Sequence, residues 1–169
     1  MNSTSVLTGR FLTGNFAIMA FGDLYFLLAL YLQNMGVTDP GTLGWILGIY
    51  FAASAVTRPL ASLVIERFSF RRVMLAASLL CLASGTGVAL AGSSVPLILV
   101  FRALTGFSSS LFLVGLTTYQ VLTVPEKVRG SSFTLASAGT IAPLIALLPI
   151  AEWLLRNGHK NFYIWSPIL

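Results

Sequence analysis

The stretch LVIERFSFRRV, residues 63–73, holds three of the chain's ten basic residues between two long apolar runs. Its flanks decide how it reads. Residues 42–65 carry one charge, Arg58, and residues 73–92 carry none. A run of about 20 mostly apolar residues is long enough to cross a bilayer as a helix. The charged stretch is therefore the tight turn between two membrane spans.

Composition extends that reading to the whole chain. Of 169 residues, 56% are hydrophobic and 9% are charged. A soluble domain needs about 25% charged residues to wet its surface. The chain is instead expected to be a polytopic, all-α transmembrane bundle. Barrel strands are excluded, because they run about ten residues in strict alternation, and these runs are longer and apolar all round. In lipid, each segment must satisfy its own backbone, which a helix does.

Five full spans are expected: 11–33, 42–65, 73–92, 95–122 and 131–155. NMGVTDPG (34–41), SSVP (93–96) and RNGHKN (156–161) are turns on one side. The charged stretches 66–72 and TVPEKVRG (123–130) connect spans on the other. The domain reading is a tail over 1–10, a five-helix bundle over 11–155, and an outer turn with the start of a truncated sixth helix over 156–169. Arg10, Arg67, Arg71, Arg72, Lys127 and Arg129 lie on one side against Arg156 and Lys160 on the other. The positive-inside bias then places the N-terminus in the cytoplasm of a cell-membrane protein.

The net charge of +5 is loop charge, not a nucleic-acid footprint, because no basic stripe with interleaved aromatics stands on a polar background. The single Cys81 lies in an apolar run and reads as a small buried hydrophobe. Neither metal-ligand spacing, a phosphate loop nor a nucleophile with a paired base is present, so no enzyme, cofactor or metal is expected.

The turn at 63–73 holds more than orientation charges. Glu66 is an acid among bases, and Arg58 lies inside the preceding span. Arg58 is 16 residues from Thr42, or roughly 24 Å, and can snorkel towards Glu66. Gly44, Gly48, Ala52, Ala55, Pro59, Ser62 and Glu66 follow at spacings of three and four. Such a small-residue stripe lets another helix approach closely. The span is expected to dock on a partner and to present Glu66 to the N-terminus of a facing helix, whose dipole favours an anion.

These residues carry a resemblance. Arg58-Pro59-Leu60-Ala61-Ser62-x-x-x-Glu66-Arg67-Phe68-Ser69-Phe70-Arg71 resembles the cytoplasmic loop between helices two and three of the major facilitator superfamily. Ser62 and Ser69 stand where that pattern has glycines, Glu66 where it has Asp, and Phe70 where it has a basic residue. Arg102-Ala103-Leu104-Thr105-Gly106 resembles its fourth-helix motif, and Pro125-x-x-x-Arg129-Gly130 its connection into helix five. The stretch 138–146, with Pro143, is similar to its Gly-Pro motif, with alanines at glycine positions. The resemblance covers the chain as an N-terminal half. It implies an incomplete six-helix bundle, a missing C-terminal bundle as partner, a small-molecule substrate, and alternating access gated by Arg58, Ser62, Glu66, Arg67 and Arg71.

Ionisable groups inside a span are functional candidates. Asp23 lies about 18 Å in from one side and Arg102 about 10 Å in from the other, so their depths are similar. They suit a substrate or proton site near the midplane, with Asp23 the titrating group, since Arg102 holds its proton. A structural ion pair fits the same depths, and the azimuth of each side chain is open. Tyr25, Tyr31, Tyr119 and Gln120 can line a pathway, although Tyr near span ends is more often an interfacial anchor. The expected function is proton-coupled transport of a small molecule, efflux favoured. The alternative is a truncated, non-transporting membrane fragment or accessory protein.

Overall fold

A computed structural model describes residues 3–159 and 161, with the side chains of 3–6, 23 and 24 outside that description. The expected start of a sixth span, 162–169, lies outside the described residues. Six α-helices follow in order: α1 Ser3–Leu24, α2 Leu28–Asn34, α3 Pro40–Phe68, α4 Phe70–Leu90, α5 Val95–Thr123 and α6 Glu126–Arg156. A 3-10 turn, Tyr25–Leu27, joins α1 to α2. Together α1 and α2 make one span, and among the described residues five helical segments are long and apolar enough to cross a membrane.

The helices outrun the apolar runs. α1 is helical from Ser3, and α6 begins at Glu126, inside the stretch read from sequence as a connection. Charged residues at a span end face water, so nothing stops the helix there. The first span also differs from an unbroken helix. It tightens at Tyr25–Leu27, just after Gly22, where a Cβ would lie 3.7 Å from the Tyr50 hydroxyl.

Local chemistry sets the helix ends. Asp39 caps α3, accepting from the Thr42 backbone N–H at 2.7 Å and from its hydroxyl at 2.6 Å. These bonds hold the Asp39 carboxyl below its ordinary pKa. Pro40 follows at the first turn, where its missing N–H costs nothing. Gly36, at φ 94°, ends α2 with the left-handed backbone that glycine alone takes freely.

The charged turn at 63–73 is shorter than a loop. α3 runs to Phe68 and α4 starts at Phe70, so Ser69 alone separates them. Ser69 has φ 68° and ψ 143°, in a region essentially restricted to glycine. The Ser69 N–H still reaches the Ile65 carbonyl, and its own carbonyl accepts from Val73. Both helices thus keep their end bonds at the cost of one strained residue. The glycine of the resembled pattern answers that backbone directly.

Helix α5 is the hub. It packs against α3 and α4 and makes a slimmer contact with α1, while α6 packs mainly on α1. Small residues set the close crossings. A Cβ on Gly106 of α5 would collide with the Tyr50 backbone carbonyl of α3. One on Gly139 of α6 would lie 2.7 Å from the Leu12 carbonyl of α1. The buried face of α6 follows as Ser132, Ala136, Gly139 and Pro143. Cys81 is buried, as expected. Large apolar side chains such as Trp45, Leu79 and Ile145 are about two-thirds or more exposed (72%, 67% and 72%), which suits lipid as their solvent.

Two outcomes test this packing. Gly106→Ala is expected to destabilise the protein by about 2–3 kcal/mol through overpacking against backbone, read as a lower thermal midpoint in detergent. Gly44→Ala, with nothing within 4 Å of the added carbon, leaves the midpoint unchanged or higher. Ser69→Gly is expected to stabilise by about 1–2 kcal/mol by relieving the backbone. A fall in its midpoint would refute the strain argument.

Candidate substrate cavity

Arg102 sits on the α5 face turned into the bundle and is 3% exposed. Its guanidinium lies between two aromatic rings, 4.9 Å from the centroid of Tyr25 and 4.7 Å from that of Tyr50. A planar cation over a ring face is attracted by the ring quadrupole, more strongly where water is excluded. Tyr25 is placed by the 3-10 turn, and Tyr50 by the close α3–α5 crossing at Gly106. Ser109, one helical repeat below Arg102, donates to the Tyr50 hydroxyl oxygen at 3.1 Å. The Tyr25 ring meets Phe21 edge-on at 5.5 Å.

This cluster walls a cavity of about 380 Å³ between α1, α3 and α5. Its α3 wall is Leu47, Tyr50, Phe51, Ser54 and Arg58, one face at spacings of three and four. The structure therefore brings Arg58 and Arg102 to one cavity. The expected link from Arg58 to Glu66 is absent: no ion pair joins them among the described residues. Arg58, itself exposed, borders the cavity, and Glu66 is exposed near the end of α3.

The aromatic residues overturn one expectation. Tyr25 and Tyr31 are buried, at 2% and 6% exposure, and are not interfacial anchors. Tyr119 stacks on Phe70, with centroids 5.0 Å apart, and meets Phe11 edge-on at 5.3 Å. Gln120 is buried and donates to the Ser132 hydroxyl at 3.5 Å. The Tyr25 hydroxyl is buried with no hydrogen-bond partner among the described residues. Leaving such a donor unpaired costs about 1–3 kcal/mol. Tyr50 was not singled out from sequence, yet its spacing of eight from Arg58 puts both on one α3 face.

Asp23 is the penultimate residue of α1, two residues before the 3-10 turn begins. Its side chain lies outside the described residues. The gating residues stand at the basic end of the bundle. Ser62 is exposed and donates to the Pro59 carbonyl at 3.2 Å. Arg67 lies 5.9 Å from the Phe68 ring centroid. Arg71 borders a wider groove of about 630 Å³ with Phe70, Met74, Phe112 and Tyr119. That groove is larger than the inner cavity but holds a single charged side chain. Arg129 donates to the Val124 carbonyl at 3.4 Å, where α5 ends, a favourable place for a cation. Gly130 is exposed with open space around it, and Pro143 is buried.

Arg102→Lys tests the ring sandwich. It keeps the charge and loses the planar stack, so a destabilisation of about 1–2 kcal/mol is expected by thermal unfolding. An unchanged midpoint would show that charge alone matters there.

No curated protein matches this sequence. Residues 10–169 match the family model described as Major Facilitator Superfamily. That match takes in nearly the whole of the five helical segments, among the described residues, that can cross a membrane and every motif placed above, on a helical bundle that fits the N-terminal half of the fold, and the chain belongs to the Major Facilitator Superfamily.

Proposed function

We propose that this multi-pass membrane transporter moves a small molecule by alternating access, coupled to protons, with export the favoured direction. The observation that carries the reading is one cavity that gathers Arg58 and Arg102 beside the break in the first span where Asp23 stands. Asp23 takes and releases the proton. Arg102 stays charged throughout and, clamped by two rings, is a fixed positive reference for both substrate and carboxylate. The 3-10 turn supports a local hinge, since a 3-10 stretch within a helix often marks one.

The basic end faces the cytoplasm of a cell membrane in this reading, which the six-to-two bias of loop charges supports. Ser62, Glu66, Arg67 and Arg71 form the latch there. Gly44, Gly48, Ala52, Ala55, Pro59, Ser62 and Glu66 are all exposed. That open small-residue face supports a second helical bundle as the partner across the transport path.

The test uses proteoliposomes with an internal pH dye and a panel of small organic anions, cations and neutral compounds. At least one compound is expected to drive proton movement, and Asp23→Asn is expected to abolish it with insertion intact. If no compound moves protons, or if Asp23→Asn leaves the response unchanged, proton-coupled transport through this site is refuted. The chain would then read as an accessory membrane protein.

A further inference from the structure

We propose that the cavity between α1, α3 and α5 binds a small organic anion, with a carboxylate or similar group at one end and an aromatic or branched apolar body. The inference rests on the transporter reading for its context and on the cavity lining for its content.

Charge comes first. The three spans that wall the cavity carry two internal bases, Arg58 and Arg102, and one internal acid, Asp23. Even with Asp23 ionised against Arg102, one positive charge remains. The remaining charge is carried by Arg58. It makes no hydrogen bond or ion pair among the described residues, yet it lines the cavity. A guanidinium offers a rigid fork that matches a carboxylate with two parallel hydrogen bonds. An ammonium ligand would meet repulsion from the same fork. A neutral ligand would gain nothing from the charge of Arg58.

The second observation is independent of charge. The Tyr25 hydroxyl is 2% exposed as a residue, lines the same cavity, and has no partner among the described residues. A phenol is a donor that an anionic oxygen accepts from well. Between these polar groups the walls are Phe26, Phe51, Leu47 and Leu113. An apolar pocket with a few convergent donors is the usual form of a small-molecule site, and about 380 Å³ falls in the usual range of size. The apolar walls hold the body of the ligand, and Arg58, Tyr25 and Arg102 fix its charged end.

The arrangement also assigns an order of contact. Arg58 lies about 18 residues into α3, towards the end that carries Arg67, Arg71 and Arg72. An anion entering from that end meets Arg58 before Arg102. Arg58 is thus the recognition residue, and Arg102 with its two rings closes the inner end.

Calorimetric titration of the purified chain in detergent, with three probes of one shape, tests this. Phenylacetate is expected to bind at least about tenfold more tightly than phenethylamine or 2-phenylethanol. Arg58→Gln is expected to weaken phenylacetate by at least about tenfold, and Arg58→Lys by less. Arg58 is exposed, so neither variant is expected to unfold the chain. Equal binding of the three probes, or an unchanged affinity in Arg58→Gln, would overturn the proposal. Phosphatidylglycerol added to the micelles is expected to leave the phenylacetate affinity unchanged. Displacement by it would assign Arg58 to a lipid headgroup instead. Phenylacetate binding without flux of any compound would sink proton-coupled transport and keep the anion site. Flux of phenethylamine that Asp23→Asn abolishes would keep the carrier and sink the anion site.

Discussion

Hydrocarbon offers no hydrogen-bond partners, so each polar group on a membrane helix must find one inside the bundle. In this protein that demand falls on α5. Arg102, Thr105, Ser108, Ser109, Ser110 and Gln120 are each no more than 3% exposed. Their partners come from two sources. Some hydroxyls fold back on their own helix, as Ser108 does on the Thr105 carbonyl at 3.1 Å. Others reach across. Thr105 donates to Ser84 of α4 at 3.1 Å, Ser109 to Tyr50 and Ser110 to the Ser54 carbonyl of α3, both at 3.1 Å. These bonds fix which face of α3 and of α4 meets α5. The rest of the bundle follows from that choice.

Close approach makes those bonds reachable. A serine hydroxyl spans little distance, so the α3 backbone must come near. Gly106 permits it, because a side chain there would occupy the place of the Tyr50 carbonyl. The same crossing swings Tyr50 over Arg102. One glycine thereby links two properties that are separate in principle: the packing of α3 on α5 and the seat of the buried cation. Helix α3 is left with three distinct faces. One is buried in the bundle through Leu43, Ile46, Thr57 and Ala61. One lines the cavity through Tyr50, Ser54 and Arg58. The third is the open stripe of Gly44, Gly48 and Ala52.

Much of this was legible in the sequence, and the limits have a physical cause. Span number, the short turn at 63–73 and the family motifs are one-dimensional signals set by length and composition. The depth of Arg102 and Asp23 also follows from counting residues. Azimuth does not. Arg58 was expected to reach along the helix to Glu66, whereas it lines the cavity with Tyr50. Its helical spacing allowed both, and only the position of α1 and α5 decides. Tyr25 was weighed as an interfacial anchor because composition treats tyrosines alike. The 3-10 turn that buries it leaves no Pro or Gly within Tyr25–Leu27 to announce it. The substitution of Ser69 for glycine was visible, but its meaning needed φ 68°.

The bundle is unevenly tied, and that bears on how a site of this kind can work. α3, α4 and α5 form one closely packed group, and α1 with α6 form another. Between them the contact of α1 with α5 is slimmer. At the basic end Gln120 of α5 bridges the two groups by donating to Ser132 of α6 at 3.5 Å, and the Ser132 hydroxyl lies 3.3 Å from that of Thr8 of α1. At mid-height the bridge is Arg102, held on one side by Tyr25 of the first span and on the other by Tyr50 of α3. A change of charge beside Arg102 acts at the joint between the two groups, next to the 3-10 turn. Packed groups respond to such a change by shifting as units, since their interiors do not deform continuously. On the proposed reading, a proton or an anion arriving there meets two stiff groups and the contact between them.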